Sequence, residues 1–168
     1  MRKDNKGFSL VELIVVITII VVLTGIISMG VGLAVSKPAD ECAAKLKASL
    51  QSMRVTTMGK FDAHMEIYKK NDQIYVKEIK VDTEGGTPST KESIVSAKGV
   101  QLYFEKGNSG TYEELKEGDA PILIYYDRSS GAFSNSVSGY YCTRLKAVKG
   151  NRTAILRLYS LTGKVENE

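Results

Sequence analysis

The sequence predicts an α+β protein, a long N-terminal helix followed by a C-terminal antiparallel β-sheet head. Three observations carry that prediction. Residues 13–36 contain no charged side chain, and residues 8–36 contain one, Glu12. Residues 37–70 place apolar side chains at helical spacing. From Asn71 onward, short β-rich runs alternate with Gly, Pro and Ser turns. A helix followed by a run of strands argues α+β with an antiparallel sheet.

The 168 residues suffice for one domain. Average composition, 43% hydrophobic and 25% charged, hides a split. Between residues 8 and 36, 20 of 29 side chains are apolar, whereas from Lys37 onward about 39% are apolar and 28% charged. That split argues against both a disordered chain and a purely cytosolic globular one. One His and two Cys exclude a Cys/His zinc cluster, and no metal or cofactor is expected.

The charge-free stretch Leu13–Ser36 is 24 residues long. A spanning helix needs about 20 residues to cross about 30 Å of hydrocarbon, so length alone predicts a transmembrane first half. The preceding MRKDNKG carries Arg2, Lys3 and Lys6 against Asp4. Its net +2 predicts a cytoplasmic N-terminus, with the bulk of the chain outside. An ordinary secretory signal has an apolar region of about 7–15 residues, shorter than this one, although Gly32-Leu33-Ala34 resembles a cleavage site. A plain single-span anchor is the other simple reading. Neither explains Glu12, since a carboxylate inside a spanning helix costs about 2–3 kcal/mol.

Lys6-Gly7-Phe8-Ser9-Leu10-Val11-Glu12-Leu13 followed by an apolar run resembles the class III signal of type IV pilins and pseudopilins. The resemblance covers residues 1–36. It implies that prepilin peptidase cuts between Gly7 and Phe8 and that the new N-terminal Phe8 is N-methylated. It also implies that the apolar helix is retained. Gly7 has no side chain to hinder a protease approaching the backbone. Cleavage leaves a positive α-amine on Phe8, and the family pairs that amine with the Glu of a neighbouring subunit, here Glu12. A buried pair offsets part of two desolvation costs, whereas an unpaired buried charge stays costly. The simpler reading is that Glu12 favours the helix dipole, worth about 0.3–1 kcal/mol. Gly25, Gly30 and Gly32 lie in the apolar run, either as points where the helix can give or as ordinary close-packing glycines.

The resemblance also sets the expected organisation. A cytoplasmic leader occupies 1–7, a transmembrane and filament-core helix 8–36, the amphipathic half of the same spine helix 37–70, and a sheet head 71–168. Lys37-Pro38 marks a boundary or kink, because Pro removes a helical donor. Asp40 and Glu41 suit a first turn. Cys42, Leu46, Leu50, Met53, Phe61, Met65 and Tyr68 then follow a helical stripe, with Thr57 filling its gap. His64, beside this stripe, reads as a partly buried surface residue rather than a metal ligand.

Strand-like runs follow around Ile74–Val81, Val100–Phe104, Ile122–Tyr126, Tyr140–Val148 and Ala154–Leu161. Lys149-Gly150-Asn151-Arg152 reads as a hairpin turn, and Thr162-Gly163-Lys164-Val165 as a last turn and tail. The strand and turn spacing of 122–131 and 156–165 is similar to the sheet of minor pseudopilins.

Cys42 and Cys142 lie 100 positions apart. In an oxidising compartment they are consistent with one helix-to-sheet bridge, or with two buried free thiols. Charge is unevenly spread. Residues 37–127 hold 13 basic and 15 acidic groups. Residues 128–165 hold seven basic groups and no acid: Arg128, Arg144, Lys146, Lys149, Arg152, Arg157 and Lys164. Beside Tyr140 and Tyr141, that set fits DNA phosphates or an anionic envelope, docking against acidic neighbours such as Glu113, Glu114 and Glu117, or a solvated sheet face. Glu113, Glu114, Glu117 and Asp119 form an acidic loop without EF-hand spacing. There is no G-x-S-x-G, P-loop or dinucleotide fingerprint, so no enzyme is expected.

The resulting expectation is a structural pilin or minor pseudopilin subunit. It would be cut by prepilin peptidase and polymerised, with other subunits and an inner-membrane assembly platform, into a type IV pilus or a secretion pseudopilus. Gly7 and Phe8 would serve processing, Glu12 subunit register, and Leu13–Val35 the filament core. The alternatives are a DNA-binding minor pseudopilin of a DNA-uptake machine and a single-span anchored extracellular domain.

Overall fold

The structure, a computed structural model, describes residues 10–59, 61–82 and 86–168. It divides into two compact units, Met1–Val35 and Ser36–Glu168. One helix, α1 (Leu10–Gly59), precedes ten strands. Glu12 sits in its first turn and Pro38 lies inside it, so Pro38 does not bound the helix.

Among the described residues no helix is long and apolar enough to cross a membrane. This finding overturns the transmembrane reading of the helix, and with it the single-pass topology of a cytoplasmic N-terminus and an outside head. The sequence argument used only length and absence of charge.

In the second unit α1 buries Ala39, Cys42, Ala43, Leu46, Leu50, Met53 and Thr57, successive positions of one helical face. The helix ends at Gly59, nine residues before Tyr68, the last position of the stripe. Thr56 and Thr57 return their hydroxyls to the carbonyls of Ser52 and Met53 at 2.9 and 3.0 Å, a habit that weakens a helix. Val55-Thr56-Thr57 is β-branched and Gly59 closes the run. Phe61, Met65 and Tyr68 therefore lie on a strand, β1 (Phe61–Lys70). Asn71 and Asp72, both left-handed at φ 51° and 58°, turn the chain into β2 (Gln73–Asp82). Two consecutive left-handed residues form the turn whose twist suits a two-residue hairpin.

The head holds two sheets rather than one. Sheet A orders β3 (Ser89–Ile94), β2, β1, β6 (Ile122–Tyr126) and β7 (Phe133–Ser134). Sheet B orders β10 (Lys164–Asn167), β9 (Arg152–Tyr159), β8 (Cys142–Lys149), β4 (Gln101–Lys106) and β5 (Tyr112–Glu114). All named strand pairs are antiparallel. The hairpin at Gly150-Asn151 forms where the sequence placed it, with Lys149 opposite Arg152.

Both sheets and the buried face of α1 share one apolar core. The Tyr126 hydroxyl donates to the Leu50 carbonyl at 2.9 Å, and Arg54 Nε to the Gly131 carbonyl at 3.0 Å. The sheets meet where the Phe133 amide donates to the Ser160 carbonyl at 2.9 Å. There the turns at Gly131 and Gly163 touch. A β-carbon on Gly163, whose φ is +63°, would collide with the Gly131 carbonyl oxygen.

Candidate functional site

Gly7 and Phe8, the expected cleavage pair, lie outside the described residues. Glu12 is described, exposed in the first turn of α1. Around it the large side chains Leu10, Val11, Leu13–Ile17, Ile19 and Ile20 are 47–76% exposed. The one hydroxyl among them, on Thr18, is spent on the Ile14 carbonyl at 2.8 Å. The segment is thus apolar on every face, and Glu12 is its one charge. A helix of that kind belongs in a buried setting, and so large an exposed apolar surface marks an interaction site.

The basic residues of the head do not form one open patch. Arg128 follows β6 at the end of sheet A, whereas Arg144, Lys146, Lys149, Arg152 and Arg157 lie on the β8–β9 hairpin of sheet B. On that hairpin Leu145, Ala147, Leu156 and Leu158 face the core, which sends Arg144, Lys146 and Arg157 to the outer face.

Strand register then lines up Glu166, Arg157, Arg144, Glu105 and Tyr112 across β10, β9, β8, β4 and β5. Glu105 is fully buried. It takes a hydrogen bond from Arg144 Nη1 at 2.7 Å and from the Gly110 amide at 2.6 Å. Arg144 holds its carboxyl below the usual range. Arg144 Nε reaches Glu168 at 2.9 Å. Lys146 lies over the rings of Tyr112 and Tyr103, at 5.2 and 5.8 Å from their centroids, and Lys149 donates to the Lys98 carbonyl at 2.9 Å.

This network was missed in the sequence because its acids come from β4 and from beyond residue 165. The usable signal was the alternation in Leu102-Tyr103-Phe104-Glu105, which puts Glu105 on the strand face that Arg144 shares. The acidic loop is likewise engaged. Glu113 pairs with Lys106 at 2.8 Å, Glu117 accepts from the Asn71 amide at 2.9 Å, and Asp119 from the Lys116 amide at 2.7 Å.

Cys42 and Cys142 are free and buried, so the structure holds two thiols and not the bridge. Cys42 faces the core from α1, and Cys142 opens β8 and donates to the Arg144 carbonyl at 3.6 Å. Burial pushes both thiols up to about 12, which keeps them protonated and unreactive at neutral pH. His64 is on β1, not on a helix, with its ring stacked on Tyr125 at 4.8 Å.

Neither the curated proteins nor the solved structures give a match. The family model described as the prokaryotic N-terminal methylation motif matches residues 2–28, a span that contains Gly7, Phe8 and Glu12. The N-terminal region of this chain carries the prokaryotic N-terminal methylation motif characteristic of prepilins and pseudopilins.

Proposed function

We propose that the protein is a structural subunit of a type IV pilus or a related pseudopilus. In this reading prepilin peptidase cuts between Gly7 and Phe8, Phe8 is N-methylated, and an assembly machine packs the apolar start of α1 against the same segment of other subunits. The role is structural and not catalytic. One observation carries the reading: a processing signal is followed directly by a helix that is apolar on every face and exposed. Packing such helices side by side buries that surface at about 25 cal/mol per Å². It also brings Glu12 among apolar neighbours, where the α-amine of a cut subunit is the counter-charge that processing supplies.

This reading is favoured over a DNA-binding subunit of an uptake machine. Arg144, Lys146 and Lys149 are already engaged by Glu105, tyrosine rings and the Lys98 carbonyl, and Arg128 belongs to the other sheet.

The deciding experiment is the mass and N-terminal sequence of the protein isolated from cells that contain prepilin peptidase. The expected product begins at Phe8 and is heavier by one methyl group. A chain still beginning at Met1, or one cut after Ala34, would remove the filament reading.

A further inference from the structure

A cleft of about 500 Å³ opens on the outer face of sheet A, within the range of about 300–1,000 Å³ usual for small-ligand sites. Ala63, Met65, Ile122 and Ile124 face the core, so Asp62 and His64 on β1, and Tyr125 with Asp127 after it on β6, face outward. His64 lies opposite Tyr125 in the strand register, and the two rings stack 17° from parallel. The stacked pair gives the cleft an aromatic wall in which each ring covers one face of the other. Val81 and the exposed Val137 add aliphatic walls. Around them stand Asp62, Arg128, Ser134 and Ser136.

The balance of charge narrows the ligand. Asp127 is committed to its own turn. Its Oδ1 accepts from the amide and hydroxyl of Ser129 at 3.2 and 2.6 Å, and from those of Ser130 at 2.9 and 2.8 Å. That leaves exposed Asp62 against exposed Arg128, one acceptor and one donor of opposite charge. Burial lowers the His64 pKa below its ordinary 6.5, so the aromatic wall is neutral at pH 7. A phosphate would meet the carboxylates of Asp62 and Asp127, the latter hydrogen-bonded in its turn but still charged, and a cation would meet Arg128. Ser134 and Ser136, linked through their hydroxyls at 2.9 Å, can each donate and accept. An aromatic wall, aliphatic sides and mixed donors and acceptors of both signs suit a ligand with hydroxyls on one edge and C–H groups on its face.

We infer that this cleft binds a neutral carbohydrate, whose C–H face lies against the Tyr125–His64 pair and whose hydroxyls reach Asp62, Arg128 and the Ser134–Ser136 pair. The inference does not depend on the filament reading.

His64 is the single histidine of the sequence, so its ring proton is a unique NMR reporter inside the cleft. The full chain is titrated with the methyl glycosides of glucose, galactose and mannose, and with N-acetylglucosamine. Inorganic phosphate and lysine methyl ester serve as charged comparators. At least one sugar shifts the His64 signal saturably, and Asp62→Ala weakens that sugar about tenfold, the loss of one charge-assisted hydrogen bond. Tyr125→Leu weakens it as well. Should that half-buried position fail to fold, Asp62→Ala, at an exposed site, still decides. No saturable shift from any of the four sugars overturns the inference. So does a response to phosphate or lysine methyl ester alone, or sugar affinity unchanged in Asp62→Ala.

Discussion

The first turns of α1 and its last ones solve opposite problems. From Leu10 to Ile20 the side chains are apolar on every face, and the large ones stand exposed. From Ala39 to Thr57 one face is apolar and closed over by two sheets, while Glu41, Lys45, Gln51 and Ser52 are exposed away from it. The difference lies in pattern more than in hydrophobicity. A one-sided stripe is satisfied by its own chain. An all-round apolar helix has no single face to bury and calls for apolar surroundings on every side.

Truncating one side chain in each segment puts this difference under the most severe test. Leu50 is fully buried beside Tyr126. Leu50→Ala should destabilise the head by about 2–5 kcal/mol, through lost transfer energy plus the cavity left behind. Ile17 is 51% exposed, and Ile17→Ala should change stability by less than about 0.5 kcal/mol. Thermal or urea unfolding of the two variants gives the contrast directly. An equal loss in both would mean that the first segment is covered within its own chain.

Gly163 tests the seam between the sheets with an effect nearly as large. Gly150 and Gly163 have similar positive φ, 58° and 63°, but a β-carbon on Gly150 meets open space. Gly150→Ala should cost only the left-handed strain, about 1–2 kcal/mol. Gly163→Ala adds a collision with the Gly131 carbonyl and should cost about 3 kcal/mol or more. Equal losses would show that the turn at Gly131 yields easily.

The legible and illegible parts of the head follow the range of the interactions. Ile122–Tyr126 and the β8–β9 hairpin were readable because alternation and a Gly-Asn turn are local signals. Phe61, Met65 and Tyr68 misled because their spacings of four and three fit a helix, while Ala63, Met65 and Ile67, the residues actually buried, alternate with period two. In so short a window both periods are satisfied, and the deciding features were Gly59 and the Asn71-Asp72 turn. β3 was not legible at all, since Ser89–Ile94 is a largely exposed edge strand with no buried alternation to read. At the N-terminus Gly7, Phe8 and Glu12 were legible as a motif, but the crossing of a membrane was inferred from length and charge alone. The pairing of Arg144 with Glu105 joins residues 39 positions apart, which no local pattern reports.

That pair opens a second contrast, between a sheet face tied by charge and one lined by rings. Glu105→Gln keeps the shape and removes the charge under Arg144, at a cost of about 1–3 kcal/mol near neutral pH. Because the folded-state pKa of Glu105 is depressed, its contribution is full above the unfolded value, about 4.3, and is lost as pH falls through the folded one. Asp127, drawn down to about 2 by the Ser129 and Ser130 hydrogen bonds, adds to the same acid limb from sheet A. Unfolding followed from pH 7 to pH 2 should therefore show a shallower acid loss in Glu105→Gln than in the parent. An unchanged slope would assign the limb to Asp127.

Glu12→Gln also has a small effect on stability, yet it separates the two ends of α1 most directly. In the isolated chain the charge favours the helix dipole by about 0.3–1 kcal/mol, so the unfolding midpoint should barely move. Cleavage between Gly7 and Phe8 should proceed, since the substitution lies four residues beyond the new N-terminus and preserves size. What changes is the packed state. The neutral amide of the variant leaves the nine exposed apolar side chains intact but offers no counter-charge to the α-amine of a neighbour. Breaking one buried ion pair costs about 3–5 kcal/mol, a loss of more than about a hundredfold in each subunit contact. Cells carrying Glu12→Gln should therefore hold cut, methylated subunit in normal amount and almost no sheared filament. Normal filament yield would leave Glu12 with its dipole role alone, and the apolar surface would then be sufficient for assembly without a charge to set its register.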